Sequence, residues 1–428
     1  MTPLLKVNFV RLKNSAGSAY SVLIGLLVAS IPATAITMPI IMYYSALILF
    51  ALGILTALFK QQTFTTTDWG IIIAWLAYPT LVACDLLLRT GWNWSHFQDS
   101  SRFLIGVPIF LLIRKYGFPI VLLFIGVGVG AIWAGSIGFY QKFYLLWPRS
   151  YGGTSGGEIS FGNISLLLAF LALAMSNILN TDNKIKLVIG MGLFTFGIIG
   201  SITSGTKGGW ISSPFLMWAL LSINPTRTNI TKLKWMILFF VACAFIWWLS
   251  SDIQSRVNHI PKAVAHYFET GAITDGSASI RLELWKAALY IIKDNILLGS
   301  GTQSYSFEIN SLINKGIISS RVASMSGPHN QYLNLLVQYG FLGLISLLGI
   351  YITALVHYAT LKKYDPVLAI CGIIIVLGYL DFNLVDNMWG VNTGGVFFVV
   401  MVAIISSYLS QLKYKSTPIN TLNNRSPI

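Results

Sequence analysis

Apolar residues in this chain fall in long uninterrupted runs rather than in the broken stripes of a soluble fold. The runs cover about 20–36, 38–58, 69–88, 103–113, 118–137, 164–178, 187–202, 210–223, 235–249, 333–356, 367–384 and 394–409. A bilayer-crossing helix needs about 20 mostly apolar residues. The pattern therefore predicts an all-α polytopic membrane protein with about twelve transmembrane helices and one large, partly helical outward loop. Run 103–113 is the shortest and fits a half-buried helix as well as a span. The stretch 250–332 is the one long interval without a span. Within it Leu282, Trp285, Ala288, Leu289 and Ile292 share one helical face, which predicts an amphipathic helix after Ser279, ended by Gly299 and Gly301. The expected organisation is a bundle of about nine spans over 1–249, the loop over 250–332, and C-terminal spans with a short polar tail over 333–428.

Composition sharpens this reading. The chain is 55% hydrophobic and only 10% charged, with a mean hydropathy of +0.70. A soluble domain carries about 25% charged residues, so the composition argues against a water-soluble enzyme. The net charge of +14 does not signal a nucleic-acid partner, because Lys and Arg gather on the cytoplasmic side of membrane proteins. With the N-terminus inside, cytoplasmic segments hold Lys60, Arg114, Lys115, Lys184, Lys186, Arg227, Lys232, Lys234, Lys362, Lys363, Lys413 and Lys415. Short outer segments hold only Arg89, Arg102, Lys142, Arg149 and Lys207. The asymmetry predicts that 250–332 faces outward. The first run follows Lys6, Arg11 and Lys13 and is read as a retained helix, since further spans follow at once. Cys84, Cys243 and Cys371 all lie inside apolar runs, which argues against a disulfide framework or a zinc site.

No phosphate-binding glycine motif of an ATP-driven pump is present. Outer acids such as Glu158, Asp275 and Glu283 are scattered, so no metal cage is expected. Asp85 and Asp381 fall near outer helix ends rather than at mid-membrane, which disfavours a transporter of polysaccharide or lipid. In Tyr151-Gly-Gly-Thr-Ser-Gly-Gly157 the glycines fit either close approach to a ligand or a flexible loop. In Ser326-Gly-Pro-His-Asn-Gln-Tyr332, Pro328 suits a first helical turn, and His329 would then sit at a helix N-terminus. The field there attracts anions and favours a neutral imidazole able to accept a proton. A capping or interfacial histidine fits equally. His259 and His266 read as surface residues, Arg281 as a solvated face or an anion contact, and Lys207 as a headgroup anchor or an anion contact. Two cations and a candidate base on one side of the membrane suit a substrate with a phosphate leaving group.

Three motifs occur in order: Ser-Gly-Thr-Lys207-Gly-Gly-Trp, Arg281-Leu-Glu-Leu-Trp285 with Gly299-Ser-Gly301, and Pro328-His329-Asn330-Gln-Tyr-Leu-Asn-Leu-Leu before Gly340. Together they resemble the O-antigen ligase family, over roughly residues 149–356. The chain departs from the family's usual residues at Lys207 (commonly Arg), Gln338 (often Glu) and Ile296 (often Pro). The resemblance implies a metal-independent and cofactor-free glycosyltransferase at the periplasmic face of a Gram-negative inner membrane. Its donor would be a glycan on undecaprenyl pyrophosphate and its acceptor the lipid A-core. His329 would be the general base, with Arg281 and Lys207 on the pyrophosphate and Asn330, Tyr332, Trp285 and Arg149 as substrate-binding neighbours. O-antigen polymerases and protein O-oligosaccharyltransferases share these motifs and remain alternatives; the short tail after Leu409 favours the ligase.

Overall fold

The computed structural model describes residues 19–59, 63–153, 156–224, 228–249, 251–274, 277–302 and 304–416. Lys6, Arg11, Lys13, Lys60, Arg227 and Asp275 lie outside these, as do Thr154 and Ser155 of the glycine-rich loop. The described residues are helical, with no strand. In chain order the helices are α1 (Ala19–Thr34), α2 (Pro39–Phe59), α3 (Thr66–Asp85), α4 (Trp94–Tyr116), α5 (Ile120–Phe139), α6 (Gly157–Met175), α7 (Asn183–Ser204), α8 (Ser213–Leu221), α9 (Asn229–Leu249), α10 (Ser251–Thr270), α11 (Ser277–Asp294), α12 (Ser304–Asn314), α13 (Gln331–Leu361), α14 (Pro366–Val385) and α15 (Asn392–Ser416).

Among the described residues eight helices are long and apolar enough to cross a membrane: α2, α3, α5, α6, α7, α13, α14 and α15. The other four predicted runs fall on α1, with 16 residues, on α8, with 9, and on α9 and α4. The weak run 103–113 lies inside the 23-residue α4, whose first half is polar through Asp99 and Arg102.

Helix ends sort onto two faces. On one, Asp68 at the start of α3 lies 3.5 Å from Arg114 near the end of α4. It also accepts from Ser410 of α15 at 2.6 Å. On the opposite face Tyr43 of α2 meets Thr393 of α15 at 3.0 Å, and Arg102 of α4 donates to Trp389 O at 2.6 Å. Residues 393–411 of α15 are buried without a break, so this helix forms the centre of the bundle with α6. Small residues allow close crossings: a Cβ at Gly126 of α5 would lie 2.1 Å from the Ala29 carbonyl oxygen of α1.

The segment between α9 and α13 has its own small core, formed by Leu284, Ala287, Ala288 and Ile291 of α11, Tyr305 and Ile309 of α12, and Val337 of α13. The buried face of α11 is therefore rotated from the predicted one, and Leu289 is exposed. The helix is apolar around most of its circumference, so periodicity alone does not select the face that packs. Glu283 is buried within this unit. It accepts from Ser319 N at 2.6 Å and from the Tyr267 hydroxyl of α10, which tie α10, α11 and the following loop together.

A break in α13 joins this unit to the bundle. Gly340 has φ 58° and ψ −148°, which interrupts the helix. The loop after α11 fills the gap: Ser300 N donates to Val337 O at 2.8 Å, Gly301 N to Gln338 O at 2.9 Å, and Phe341 N to Ile296 O at 3.0 Å. Backbone groups freed by the break are thereby satisfied. Arg89 and Asp85 at the end of α3 hold the same loop, through Leu298 O and through Thr302 N at 2.9 Å.

Candidate functional site

Four separate segments converge on the face opposite Arg114. The first is the turn after α7. Arg149 donates from Nε to Ser204 O at 2.8 Å and from Nη2 to Thr206 Oγ1 at 3.4 Å, which sets the turn that presents Lys207. Gly208 packs so closely on Val385 of α14 that a Cβ would lie 2.2 Å from it, and Ser212 N donates to Asp381 Oδ2 at 2.7 Å. The Lys207 turn is thus fixed against the end of α14, one residue before Asp386.

The second and third segments are the start of α11, carrying half-buried Arg281, and the approach to α13, carrying His329. Helix α13 begins at Gln331 with Asn330 as its cap, the side chain accepting from Leu333 N at 3.0 Å. Pro328 is therefore outside the helix, not in its first turn as the sequence suggested, and His329 immediately precedes the cap. His329 has φ 47°, in the left-handed region that disfavours a side chain and costs about 1–3 kcal/mol. Its surroundings hold it there: Trp285 Nε1 donates to Pro328 O at 3.0 Å, and Tyr332 donates to Leu380 O at 2.8 Å. Asn330, Tyr332 and Trp285 thus use these polar groups to place His329.

The fourth segment is the linker from α14 to α15. His329 Nδ1 lies 3.2 Å from Asp386 Oδ1; the imidazole is 44% exposed and the carboxylate 14%. Burial pushes the Arg281 guanidinium below its ordinary pKa, with Asp386 opposing the shift and the Arg149 cation adding to it. Arg281, Arg149 and Asp386 therefore share one electrostatic environment, and His329 touches its anion. Beneath the linker, Trp389 packs on Phe103 and Tyr351, with ring centroids 4.6 and 5.5 Å apart, and so fixes the backbone that carries Asp386.

Asp386 was not singled out in the sequence. It sits 57 positions from His329, and its one signal is an acid in a short polar interval between two spans. The glycine-rich loop serves packing: Cβ atoms at Gly152 and Gly153 would lie 2.4 and 2.2 Å from the carbonyl oxygens of Ile36 and Thr37. Chemically, the arrangement offers a carboxylate-supported imidazole beside cations, suited to removing a proton from a hydroxyl next to an anionic leaving group.

A model of the O-antigen ligase family matches residues 191–348, the stretch that holds Lys207, Arg281 and His329. The chain is also 23% identical over 385 residues to an uncharacterized protein of Haemophilus influenzae, covering 88% of this chain and 95% of that protein. Residues 191–348 therefore carry the O-antigen ligase family's domain, and members of that family are glycosyltransferase-like enzymes acting on lipid-linked glycans.

Proposed function

We propose that this protein is an O-antigen ligase, which transfers a glycan from undecaprenyl pyrophosphate to the lipid A-core at the periplasmic face of the inner membrane. The observation that carries the reading is the His329–Asp386 contact beside Arg281 and Arg149. With Nδ1 facing the carboxylate, the neutral tautomer keeps its proton on Nδ1 and leaves Nε2 as the acceptor. Nε2 takes the proton of the acceptor hydroxyl as its oxygen attacks the anomeric carbon. The bond from that carbon to the phosphate oxygen breaks with inversion, and the pyrophosphate leaves with the electron pair. Arg281 and Lys207 stabilise the charge it gains. Arg149 acts mainly by holding the Lys207 turn and adding to the positive field.

The charge on the two faces supports this sidedness. Arg114, Lys115, Lys184, Lys186, Lys232, Lys234, Lys362, Lys363, Lys413 and Lys415 belong to helix ends and linkers opposite the site, which supports a cytoplasmic assignment for that face. On this reading α1, α4, α8 and α9 also cross, giving twelve spans.

The test is transfer by purified protein carrying His329→Ala, together with the lipopolysaccharide pattern of a deletion strain. Loss of transfer by about 10²–10⁴ is expected from removing a general base. The deletion strain is expected to lose all O-chain while lipid-linked polymer accumulates. A single repeat left on the core would instead mean a polymerase, and near-normal turnover of the variant would remove His329 from the chemistry.

A further inference from the structure

A cleft of 530 Å³ opens beside His329 and Asp386, and neither Arg149, Lys207 nor Arg281 lines it. Its other walls come from His96 and Asp99 of α4, Gln331, Asn334 and Gln338 of α13, and Asn387 of the linker. The volume lies in the ordinary range for small-molecule sites, about 300–1,000 Å³. Among the described residues no Lys or Arg lines the cleft.

Two observations say what the cleft is built to hold. Gln331 is 2% exposed, and its Oε1 has no hydrogen-bond partner among the described residues. A buried carbonyl oxygen of this kind needs a donor, and a bound hydroxyl supplies one. Asp99 is the second. Its carboxylate is held at 2.7 Å by Arg102, whose guanidinium is itself fixed by Trp389 O and Asn392, so the carboxylate is presented rigidly. Asp99 and Asp386 line the cleft as acceptors, which suits hydroxyls and offers a phosphate no counter-charge.

We infer that this cleft is the acceptor subsite and that it selects a glycosyl unit without phosphate, with Gln331 Oε1 and Asp99 accepting from its hydroxyls. The inference rests on the transferase reading above. The donor's pyrophosphate lies against Arg281 and Lys207, the acceptor sugar lies in the cleft, and His329 stands at the boundary. A phosphorylated sugar in the cleft would face two carboxylates, with no Lys or Arg among the described residues of the wall.

The experiment is saturation-transfer NMR on the purified full-length protein in detergent. The probes are methyl glycosides of hexoses, an N-acetylhexosamine and a heptose, with hexose 6-phosphates alongside. At least one neutral glycoside is expected to saturate, with its 6-phosphate at least about tenfold weaker. Gln331→Leu keeps the volume and removes the acceptor oxygen, and weakens the neutral glycoside about tenfold. Asp99→Asn narrows the gap between neutral and phosphorylated sugars. Absence of saturation by every neutral glycoside, equal binding of the phosphates, or unchanged affinity in Gln331→Leu would each overturn the inference. Transfer that needs His329 and Arg281 while any of these results holds removes only the subsite; transfer independent of His329 removes the underlying reading.

Discussion

Replacing Asp386 by alanine isolates what the carboxylate does for His329. Before the proposed proton transfer the carboxylate only orients the imidazole. In the proposed step the acceptor proton moves to His329, and an imidazolium forms 3.2 Å from Asp386 Oδ1. At an effective dielectric of about 20, unit charges at that separation attract by about 5 kcal/mol. The imidazole is 44% exposed, so solvent screening reduces the gain to about 2–3 kcal/mol. The gain exists only once the proton has moved, so its loss falls on kcat, by about 30- to 150-fold. Donor KM is expected to behave differently. Asp386 also offsets the charge of Arg281, so its removal leaves the cations more positive, and donor KM stays level or falls. The assay is a donor titration at saturating acceptor, on protein amounts matched by folded yield. A kcat within about threefold of wild type would refute the argument. So would a donor KM that rises as far as kcat falls, because a general loosening of the site, not the imidazolium, would then account for the defect.

At Lys207, charge rather than shape is expected to matter: Lys207→Ala weakens donor use by at least about tenfold and Lys207→Arg retains substantial activity, read from donor titrations. Gly340→Ala puts a side chain at φ 58°, 2.4 Å from the Leu297 carbonyl carbon, and should cost more than about 3 kcal/mol by thermal melting, whereas Gly349→Ala in the same helix meets nothing within 4 Å and should be neutral or slightly stabilising. Phosphatase fusions between α11 and α12 should be active and fusions after Leu409 inactive; the reverse would invert the topology and the mechanism with it. Transfer should persist in excess chelator, since Arg281, Arg149 and Lys207 supply positive charge at the leaving group, and recovery only on adding magnesium or manganese would contradict this.

Much of the architecture was legible because its cause is local. Apolar runs long enough for a bilayer carry their own signal, and the helices fall where the runs do. Where other forces set the outcome, the sequence was less informative. Helix α4 combines a short apolar run with Asp99, Arg102 and Arg114, and its 23-residue length comes from buried partners supplied by α3, α15 and the linker at Trp389. The break in α13 rests on Gly340, which reads as one more glycine in an apolar stretch until the loop 296–301 is seen docked in it. The packed face of α11 was missed for a similar reason, since either of two apolar faces satisfies the periodicity.

The site divides along the same line. Residue types and their order singled out Lys207, Arg281 and His329, because a helix approach with Pro-His-Asn and isolated cations are visible one segment at a time. How each outer cation is held is not visible in that way. Arg89, Arg102, Lys142 and Arg149 look equivalent to Lys207 in sequence, yet each donates to a main-chain carbonyl in a linker or at a helix end: Leu298, Trp389, Pro148 and Ser204 respectively. These arginines and this lysine fix the irregular segments from which the site is assembled. That matters for catalysis because neither the Lys207 turn, the His329 approach nor the Asp386 linker lies within a regular helix. A strained histidine and a carboxylate from opposite ends of a 57-residue interval can meet at 3.2 Å only if both backbones are held from outside. The positive charge of the outer face therefore fixes the loops, and the Arg281 guanidinium beside Asp386 is the part proposed to meet the leaving group.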